Sequence, residues 1–281
     1  MFHKVAKSAE LISLPDIYLK LKELMDDPDY TMAEVAILVS RDPGMATRFL
    51  RVVNSPLYRR IRKIETVSHA VSLLGIREVH DIVLSAAVAE AFEGIQTDVM
   101  NMQKFWQRSF YCAVMTKLLA QECDLAESDR LFVIGLLHDI GHLFMYLAIP
   151  EESQQAILKA ETLNQPLYQV ERELLGFDYA KLGGHVMGQW DLPKSLQIIT
   201  CFHPEPGEAD QFSSEAALLH LASSLVRADL EDGTFGAGTF LVDPAAWKLT
   251  GLTEEHCLHT REKAAEQFGE VADSISTLDF S

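Results

Sequence analysis

The stretch Val133-Ile134-Gly135-Leu136-Leu137-His138-Asp139-Ile140-Gly141-His142 places a histidine and an aspartate side by side at the end of an apolar run. An imidazole beside a carboxylate is costly to remove from water unless both groups are hydrogen-bonded or hold an ion. Neighbouring side chains on a helix point about 100° apart, so the two can converge on one ion only at a bent helix end. Gly141 would permit such a bend. The stretch therefore predicts either a metal-dependent hydrolase or a protein that keeps the remains of its metal site.

The composition is that of an ordinary globular protein, since 48% of the 281 residues are hydrophobic and 23% are charged. A chain of this length can bury a large core and allows one or two domains. Charged or polar residues are expected to interrupt each apolar run before the roughly 20 residues that a membrane span needs. No apolar region follows Met1–Lys7, so no signal peptide is expected. The four scattered cysteines are typical of reduced thiols in the cytoplasm.

The charge distribution is uneven along the chain. A net charge of −17 argues against binding nucleic acid through nonspecific attraction. Basic residues nevertheless concentrate between Arg41 and Arg77, and they include the cluster Arg59-Arg60-Ile61-Arg62-Lys63. Solvated helix faces explain this pattern most simply. The alternative is that this cluster is a local site for an anion or a partner. A partner would be expected to bind in the grooves between the N-terminal bundle and the helical core, and the cluster would lie on one rim of this surface.

Helical periodicity dominates the whole sequence. Thr31-Met32-Ala33-Glu34 has the form of a capping box, and Asp42-Pro43 has the form of an N-cap followed by proline at the first helical position. We find no convincing strand pair and no short repeat. The pattern predicts an all-α chain with an N-terminal helical bundle over 1–95, a helical core over 96–226, and a C-terminal loop and helical extension over 227–281.

A series of short motifs follows in order along residues 11–226. They are Leu14-Pro15, Ser40-Arg41-Asp42-Pro43-Gly44-Met45, Val53-Asn54-Ser55-Pro56-Leu57-Tyr58, Ala70-Val71-Ser72-Leu73-Leu74-Gly75, Phe105-Trp106, Gly135-Leu136-Leu137-His138-Asp139-Ile140-Gly141, Glu173-Leu174-Leu175-Gly176 and Trp190-Asp191-Leu192-Pro193. A lone His-Asp dipeptide has little specificity, whereas the ordered series is specific. In these motifs the chain resembles the HDOD (HD-related output domain) family, a divergent branch of the HD-domain metal-dependent phosphohydrolase superfamily.

The resemblance implies a multi-helical, HD-domain-like bundle with an N-terminal helical subdomain, and a role in bacterial signal transduction. Catalytic HD enzymes combine a histidine on an earlier helix with the HD pair and a distant aspartate, and some relatives add further histidines. At the matching positions this sequence has Arg108, Tyr179 and Ser223, and of a pair of histidines it keeps only His203. The resemblance therefore implies that most of the metal ligands are missing.

The remaining candidate metal ligands are His138, Asp139 and His203. A divalent cation needs several ligands at once, and arginine cannot serve because its guanidinium stays protonated. Arg108 in the same cavity would oppose cation binding and would instead pair with the Asp139 carboxylate. We therefore expect no metal or other cofactor, and a buried polar network or anion contact that contains Arg108, Asp139 and Tyr179.

Three functions are consistent with these features. The leading hypothesis is a catalytically silent signalling or scaffold protein, which acts in the cytoplasm through contacts with signalling proteins and binds neither membrane nor nucleic acid. The second is a phosphohydrolase acting on nucleotides or cyclic dinucleotides. Its divalent metal would be held by His138 and Asp139 together with His203, His142 or Asp178. The third is a protein that binds a nucleotide or second messenger without hydrolysing it, with Arg108 holding a phosphate.

Overall fold

The structure, a computed structural model, describes residues 1–9, 12–54, 63–125, 128–230 and 242–275, without the side chains of 128–129, 227–230 and 268–275. These residues form helices and turns and contain no strand, which confirms the all-α prediction. Of the basic cluster Arg59–Lys63, only Lys63 belongs to the described part of the chain, where it is exposed.

Helices follow one another along the whole described chain. They are α1 (Phe2–Ala9), α2 (Asp16–Asp26), α3 (Met32–Ser40), α4 (Pro43–Val53), α5 (Val67–Leu74), α6 (Ile76–Ala91), α7 (Met102–Glu122), α8 (Ser128–Leu137), α9 (Ile140–Ala148), α10 (Pro150–Leu163), α11 (Leu167–Leu175), α12 (Tyr179–Gln189), α13 (Lys194–Phe202), α14 (Ser213–Leu230), α15 (Pro244–Thr250) and α16 (Glu254–Ile275). A short 3₁₀ turn, Pro206–Glu208, lies between α13 and α14.

The chain divides into two compact units. Unit 1 contains Met1–Ile12 and Ile95–Ala264, so α1 belongs with α7 to α15 and the first half of α16. Unit 2 contains Ser13–Gly94, which form α2 to α6, together with Ala265–Ser281. The chain thus begins in unit 1, builds most of unit 2, and then returns to unit 1.

Local hydrogen bonds fix the helix ends in unit 2 as the sequence predicts. Thr31 and Glu34 form the capping box of α3. At the start of α4 the Asp42 carboxylate accepts a hydrogen bond from the Met45 N–H at 2.9 Å. The Asn54 amide donates to the backbone oxygens of Leu50 and Ile64 and accepts from the Ile64 N–H. These residues satisfy backbone groups at helix ends and therefore have a structural role.

The His-Asp pair lies in a two-residue turn between α8 and α9 in unit 1. Because α8 ends at Leu137 and α9 begins at Ile140, His138 and Asp139 occupy the bent helix end that the sequence predicts. The prediction that Gly141 permits this bend is wrong. Gly141 lies inside α9 and does not have the positive φ that favours glycine. Its absent side chain instead lets α12 approach, because a Cβ there would lie 1.9 Å from the backbone oxygen of Tyr179.

One apolar run is longer than the sequence analysis predicts. Residues 130–148 are long and apolar enough to cross a membrane by length and composition, which corrects the expectation that every run is interrupted earlier. However, 89% of its most apolar window is buried inside the protein. Core helices of globular proteins have the same property, so this run is weak evidence for a membrane span.

Part of the C-terminal extension packs into unit 1. Cys257 and Thr260 on α16 are fully buried. On α14, the Nδ1–H of His220 donates to the His203 backbone oxygen, and its Nε2 accepts from the Asp243 N–H, both at 2.9 Å. His220 therefore joins the segment that precedes α15 to the end of α13.

Candidate functional site

A buried polar network surrounds the His-Asp turn in unit 1. Its members come from separate parts of the sequence and from five helices or their ends: Arg108 on α7, His138 and Asp139 in the turn, His142 on α9, Glu171 on α11, Tyr179 on α12 and His203 at the end of α13. The structure thus brings together Arg108, His138, Asp139, Tyr179 and His203, which are the site residues that the sequence singles out.

An ion pair in this network joins Arg108 to Asp139. The Nη2–H of Arg108 donates a hydrogen bond to Oδ2 of Asp139, and the side chains are 24% and 5% exposed. Burial raises the pKa of Asp139, but the Arg108 guanidinium, together with His138 and His142, more than offsets burial and holds that pKa well below its usual range. Burial likewise opposes the charge on Arg108, while Asp139 holds the pKa of Arg108 above its usual value. The two residues form an ion pair in which the carboxylate is buried and the guanidinium is partly exposed.

His138 is held by a backbone carbonyl. Its Nδ1 lies 2.7 Å from the oxygen of Gly135, and because a carbonyl can only accept, Nδ1 carries the proton. Burial lowers the pKa of His138, which favours the neutral ring with a lone pair on Nε2. That nitrogen lies 3.4 Å from Oδ1 of Asp139. The pair consequently keeps one nitrogen and one carboxylate oxygen close together.

His142 extends the network on the other side of Asp139. Its Nε2 lies 3.1 Å from Oε1 of Glu171, and its Nδ1 lies 3.5 Å from Oδ1 of Asp139, a distance too long for a good hydrogen bond. Its ring stacks on that of Tyr179, with centroids 3.9 Å apart. Burial opposes protonation of His142, but Glu171 and Asp139 together more than offset it and raise the pKa of His142 above its usual value.

Glu171 belongs to the network, although the sequence does not single it out. Its carboxylate accepts a hydrogen bond from the Tyr179 N–H at 3.0 Å, so it also stabilises the start of α12. The available signal was its position on α11 directly after the apolar Val170, and both side chains are buried. A glutamate on an apolar helix face needs a partner, but the sequence does not show that His142 supplies one.

His203 is bonded at both ring nitrogens. Its Nδ1–H donates to the Thr200 oxygen at 2.7 Å, and its Nε2 accepts from the Tyr179 hydroxyl at 2.9 Å. Burial holds the pKa of His203 well below its usual value, in agreement with a neutral ring. The rings of His203 and His138 are 5.5 Å apart, but the His203 lone pair is directed at Tyr179.

Two further candidate residues have other partners. Asp178 caps α12 by accepting from the Lys181 N–H at 2.7 Å, and it also pairs with Arg172. The Ser223 hydroxyl donates to the backbone oxygen of His220 at 3.0 Å. Neither hydrogen bond joins the network, so Asp178 has a structural role at the start of its helix.

The donor set does not fit a divalent metal. Arg108 covers one Asp139 oxygen and Tyr179 occupies the His203 lone pair, which leaves Nε2 of His138, Oδ1 of Asp139 and, 3.5 Å from that oxygen, Nδ1 of His142. Within the described ranges, no group of three or more His, Cys, Asp or Glu side chains could hold a metal ion. These atoms lie beside a fixed guanidinium, and its positive charge opposes a second cation.

The buried neutral state of His203 predicts a specific dependence of stability on pH. Its folded pKa is depressed, so the unfolded state binds more protons as the pH falls below about 6.5, and stability falls with it. His142 has the opposite sign, because its raised pKa contributes stability that is lost as the pH rises through the folded value. We therefore compare His203→Gln with the unmodified protein by urea unfolding between about pH 5.5 and 7.5.

The variant should show a weaker decrease in stability towards low pH. The difference in slope can reach about 1.4 kcal/mol per pH unit for one histidine. Carboxylates shared by both proteins cancel to a first approximation in this comparison. Parallel pH profiles for the two proteins would show that His203 is not neutral in the folded state.

Three comparisons with known proteins bear on this site. The model of the HDOD domain family matches residues 11–206. The fold is similar to that of a "putative phosphohydrolase" from Shewanella amazonensis SB2B, with a TM-score of 0.74, 24% identity, and 97% of this chain and 99% of that one covered. It is also similar to a "putative signal transduction protein" from Marinobacter aquaeolei VT8, with a TM-score of 0.73, 20% identity, and 96% of this chain and 60% of that one covered.

A curated relative, an uncharacterized protein from Treponema pallidum (strain Nichols), is 20% identical over 220 residues. The match covers 78% of this chain and 42% of that protein, so the chain spans less than half the length of this relative. At these identities the likeness to the two solved structures establishes the fold.

Proposed function

The chain belongs to the HDOD domain family, and from this premise we propose that it is a catalytically silent signalling or scaffold protein that acts through protein contacts. The observation that carries the proposal is the ion pair between Arg108 and Asp139. A hydrolase of the HD type would use this carboxylate to bind a metal ion, whereas here an arginine side chain neutralises it.

Two further contacts support the absence of catalysis in this proposal. Nε2 of His203 accepts a hydrogen bond from the Tyr179 hydroxyl. The Asp178 carboxylate caps the start of α12 and forms an ion pair with Arg172. The candidate ligands of a hydrolase thus have structural partners. We propose accordingly that the protein holds no resident metal or other cofactor, works in the cytoplasm with signalling proteins as partners, and does not depend on membrane or nucleic acid.

A second candidate function is binding of a nucleotide or second messenger without hydrolysis. The observation that favours it is Nε of Arg108, which is buried and has no hydrogen-bond partner among the described residues. A donor of this kind can accommodate a phosphate oxygen, although the neighbouring Asp139 carboxylate would repel one.

Metal content and phosphohydrolase activity of the full chain test these alternatives together. After equilibration with Mg²⁺, Mn²⁺, Fe²⁺ or Zn²⁺ and desalting, elemental analysis should find much less than one ion per chain. Nucleoside triphosphates, cyclic dinucleotides and a chromogenic phosphodiester should remain uncleaved. Calorimetry with the same nucleotides should show no saturable heat.

The variants Asp139→Asn and Lys159→Met distinguish a genuine activity from a contaminant, because Lys159 pairs with the exposed Glu173 elsewhere in unit 1. Stoichiometric metal together with turnover that Asp139→Asn abolishes and Lys159→Met preserves would overturn the proposal in favour of a hydrolase. Saturable nucleotide binding that Arg108→Met abolishes, without turnover, would instead establish the second candidate.

A further inference from the structure

Two cysteines from distant parts of the sequence come together at the C-terminal end of α7. Cys123 directly follows the last residue of α7, and Cys257 lies in the first turn of α16. Both residues belong to unit 1, and both are free thiols. No short motif contains the two cysteines, so only the fold shows that they are neighbours.

Two contacts hold the chain against the end of α7 on either side of Cys257. Before it, the backbone oxygen of Thr250 accepts a weak hydrogen bond from Sγ of Cys123 at 3.7 Å. After it, the Lys263 ammonium pairs with the Glu122 carboxylate at 2.9 Å. Because the chain touches this end of α7 both before and after Cys257, that residue is held close to Cys123.

The electrostatics of the thiols agree with this placement. Burial is the main cause that raises the pKa of Cys257 to about 12, and the charge of the Cys123 thiolate is the next. The effect of Cys123 exceeds that of Glu254, which lies one helical turn before Cys257. Residues one turn apart on a helix have Cβ atoms about 5–6 Å apart, so the Cys123 sulfur lies at a comparable range from Cys257.

The two thiols differ in their access to solvent. Cys257 is fully buried, whereas Cys123 is partly exposed. A dissolved oxidant therefore reaches Cys123 first, and Cys257 can react only with the oxidised form of Cys123. An accessible cysteine next to a second one that resolves its oxidised form is the arrangement of a redox-sensing pair.

We propose that Cys123 and Cys257 form a reversible disulfide under oxidation, which fastens the start of α16 to the end of α7. The disulfide adds a redox-sensitive modification site to the protein, whether the chain is a scaffold or binds a nucleotide. Transient disulfides of this kind occur in the cytoplasm, where most structural disulfides do not persist.

Both chemical steps balance with hydrogen peroxide as the oxidant. The Cys123 thiolate attacks one peroxide oxygen, the O–O bond breaks, and Cys123 becomes a sulfenic acid while hydroxide leaves. The Cys257 thiol then attacks the Cys123 sulfur, the S–O bond breaks, and the S–S bond forms as a second hydroxide leaves. Each hydroxide takes up one thiol proton. Two thiols and one peroxide thus give one disulfide and two waters.

The surroundings of Cys123 limit the rate of the first step. Burial raises the pKa of Cys123, and the Glu122 and Asp124 carboxylates raise it further. The thiolate is the reactive form, so a raised pKa leaves little of it at neutral pH. The pair should therefore respond to sustained oxidation, and slowly compared with cysteines whose pKa is lowered.

The experiment oxidises the full, folded chain with hydrogen peroxide and then counts the thiols that react with a maleimide in denaturant. Of the four thiols, Cys123 and Cys257 should be lost together, and a dithiol reductant should restore both. Mass spectrometry of an unreduced digest should find the peptides of these two cysteines joined. Hydrogen exchange in the first half of α16 should become slower in the oxidised chain.

Cys201→Ser is the matched control, because Cys201 is the other partly exposed cysteine and its removal should leave the joined peptides unchanged. Cys257→Ala should lose the joined peptides, and its Cys123 should accumulate as sulfenic and then sulfinic acid. Circular dichroism shows whether Cys257→Ala still folds. The unmodified chain provides the test even if this variant does not fold.

Three results would overturn the disulfide. One is a folded, unmodified chain in which Cys123 reaches the sulfinic acid while Cys257 remains a thiol. Another is a disulfide that joins Cys123 to Cys201 or to a second chain, or that forms only after denaturation, since the two sulfurs would then not meet in the native fold. The third is persistence of both thiols after Cys201 has been oxidised.

Discussion

Replacing Gly141 by alanine is expected to destabilise the protein by about 4 kcal/mol or more, or to prevent folding of unit 1. A Cβ at this position would lie 1.9 Å from the oxygen of Tyr179 and 2.8 Å from the nitrogen of Gly183. Both are backbone atoms, so no side-chain rotation relieves the overlap, and α9 and α12 would have to separate. Because interiors are densely packed, separation also exposes the apolar surface between the two helices.

The measurement is thermal and urea unfolding followed by circular dichroism, with Gly188→Ala as the control. Gly188 lies on α12, where a Cβ would meet only side-chain atoms of Gln197, the nearest at 3.2 Å. Alanine favours the helix by about 1 kcal/mol relative to glycine, so this substitution should change stability by about 1 kcal/mol or less. A Gly141→Ala protein as stable as the control would mean that the two helices are not in the contact described.

The second large effect is expected from Arg108→Met. This substitution removes the partner of a carboxylate that is 5% exposed, and breaking a buried pair in this way costs about 3 to 5 kcal/mol. The double substitution Arg108→Met/Asp139→Asn should recover much of the loss, because an amide is less costly to bury than an unpaired charge. Urea unfolding of the unmodified, single and double variants gives the coupling between the two side chains.

Lys159→Met is the control for the loss of a charge in itself. Its partner Glu173 is 63% exposed, and surface ion pairs of this type contribute about 0 to 1 kcal/mol. If Arg108→Met cost no more than this control, or if the double variant were less stable than the single one, Arg108 would not be neutralising Asp139. The proposed replacement of a metal ion by an arginine would then lose its support.

The helix ends were predictable from the sequence because their signals are local. A capping box needs only Thr31 and Glu34, and an N-cap needs only Asp42 and the residues just after it. The residues around the His-Asp turn were found in another way, through the order of motifs shared with the HDOD family. That order identified Arg108 and Tyr179 at positions where catalytic relatives have ligands, and the structure places both residues in the network.

The remaining features depend on which helices meet. The sequence predicts that Gly141 is needed for its flexible backbone. In the structure a glycine is needed there because α12, which begins at Tyr179, packs so closely that no side chain fits. Glu171 could not be assigned because its partner His142 lies on another helix. For the same reason, the apolar face of α1 shows that the helix packs against something but does not identify α9 and α12 as its neighbours.

The position of α1 in the chain also affects the order in which the protein can fold. α1 ends at Ala9, whereas its neighbours α9 and α12 begin at Ile140 and Tyr179, so α1 leaves the ribosome long before its binding surface exists. Closing such a long loop is entropically costly and slow compared with local helix pairing. During synthesis α9 and α12 must therefore pack before α1 can join them, and until then the surface that Val5, Ala6 and Ala9 cover in the folded protein stays exposed.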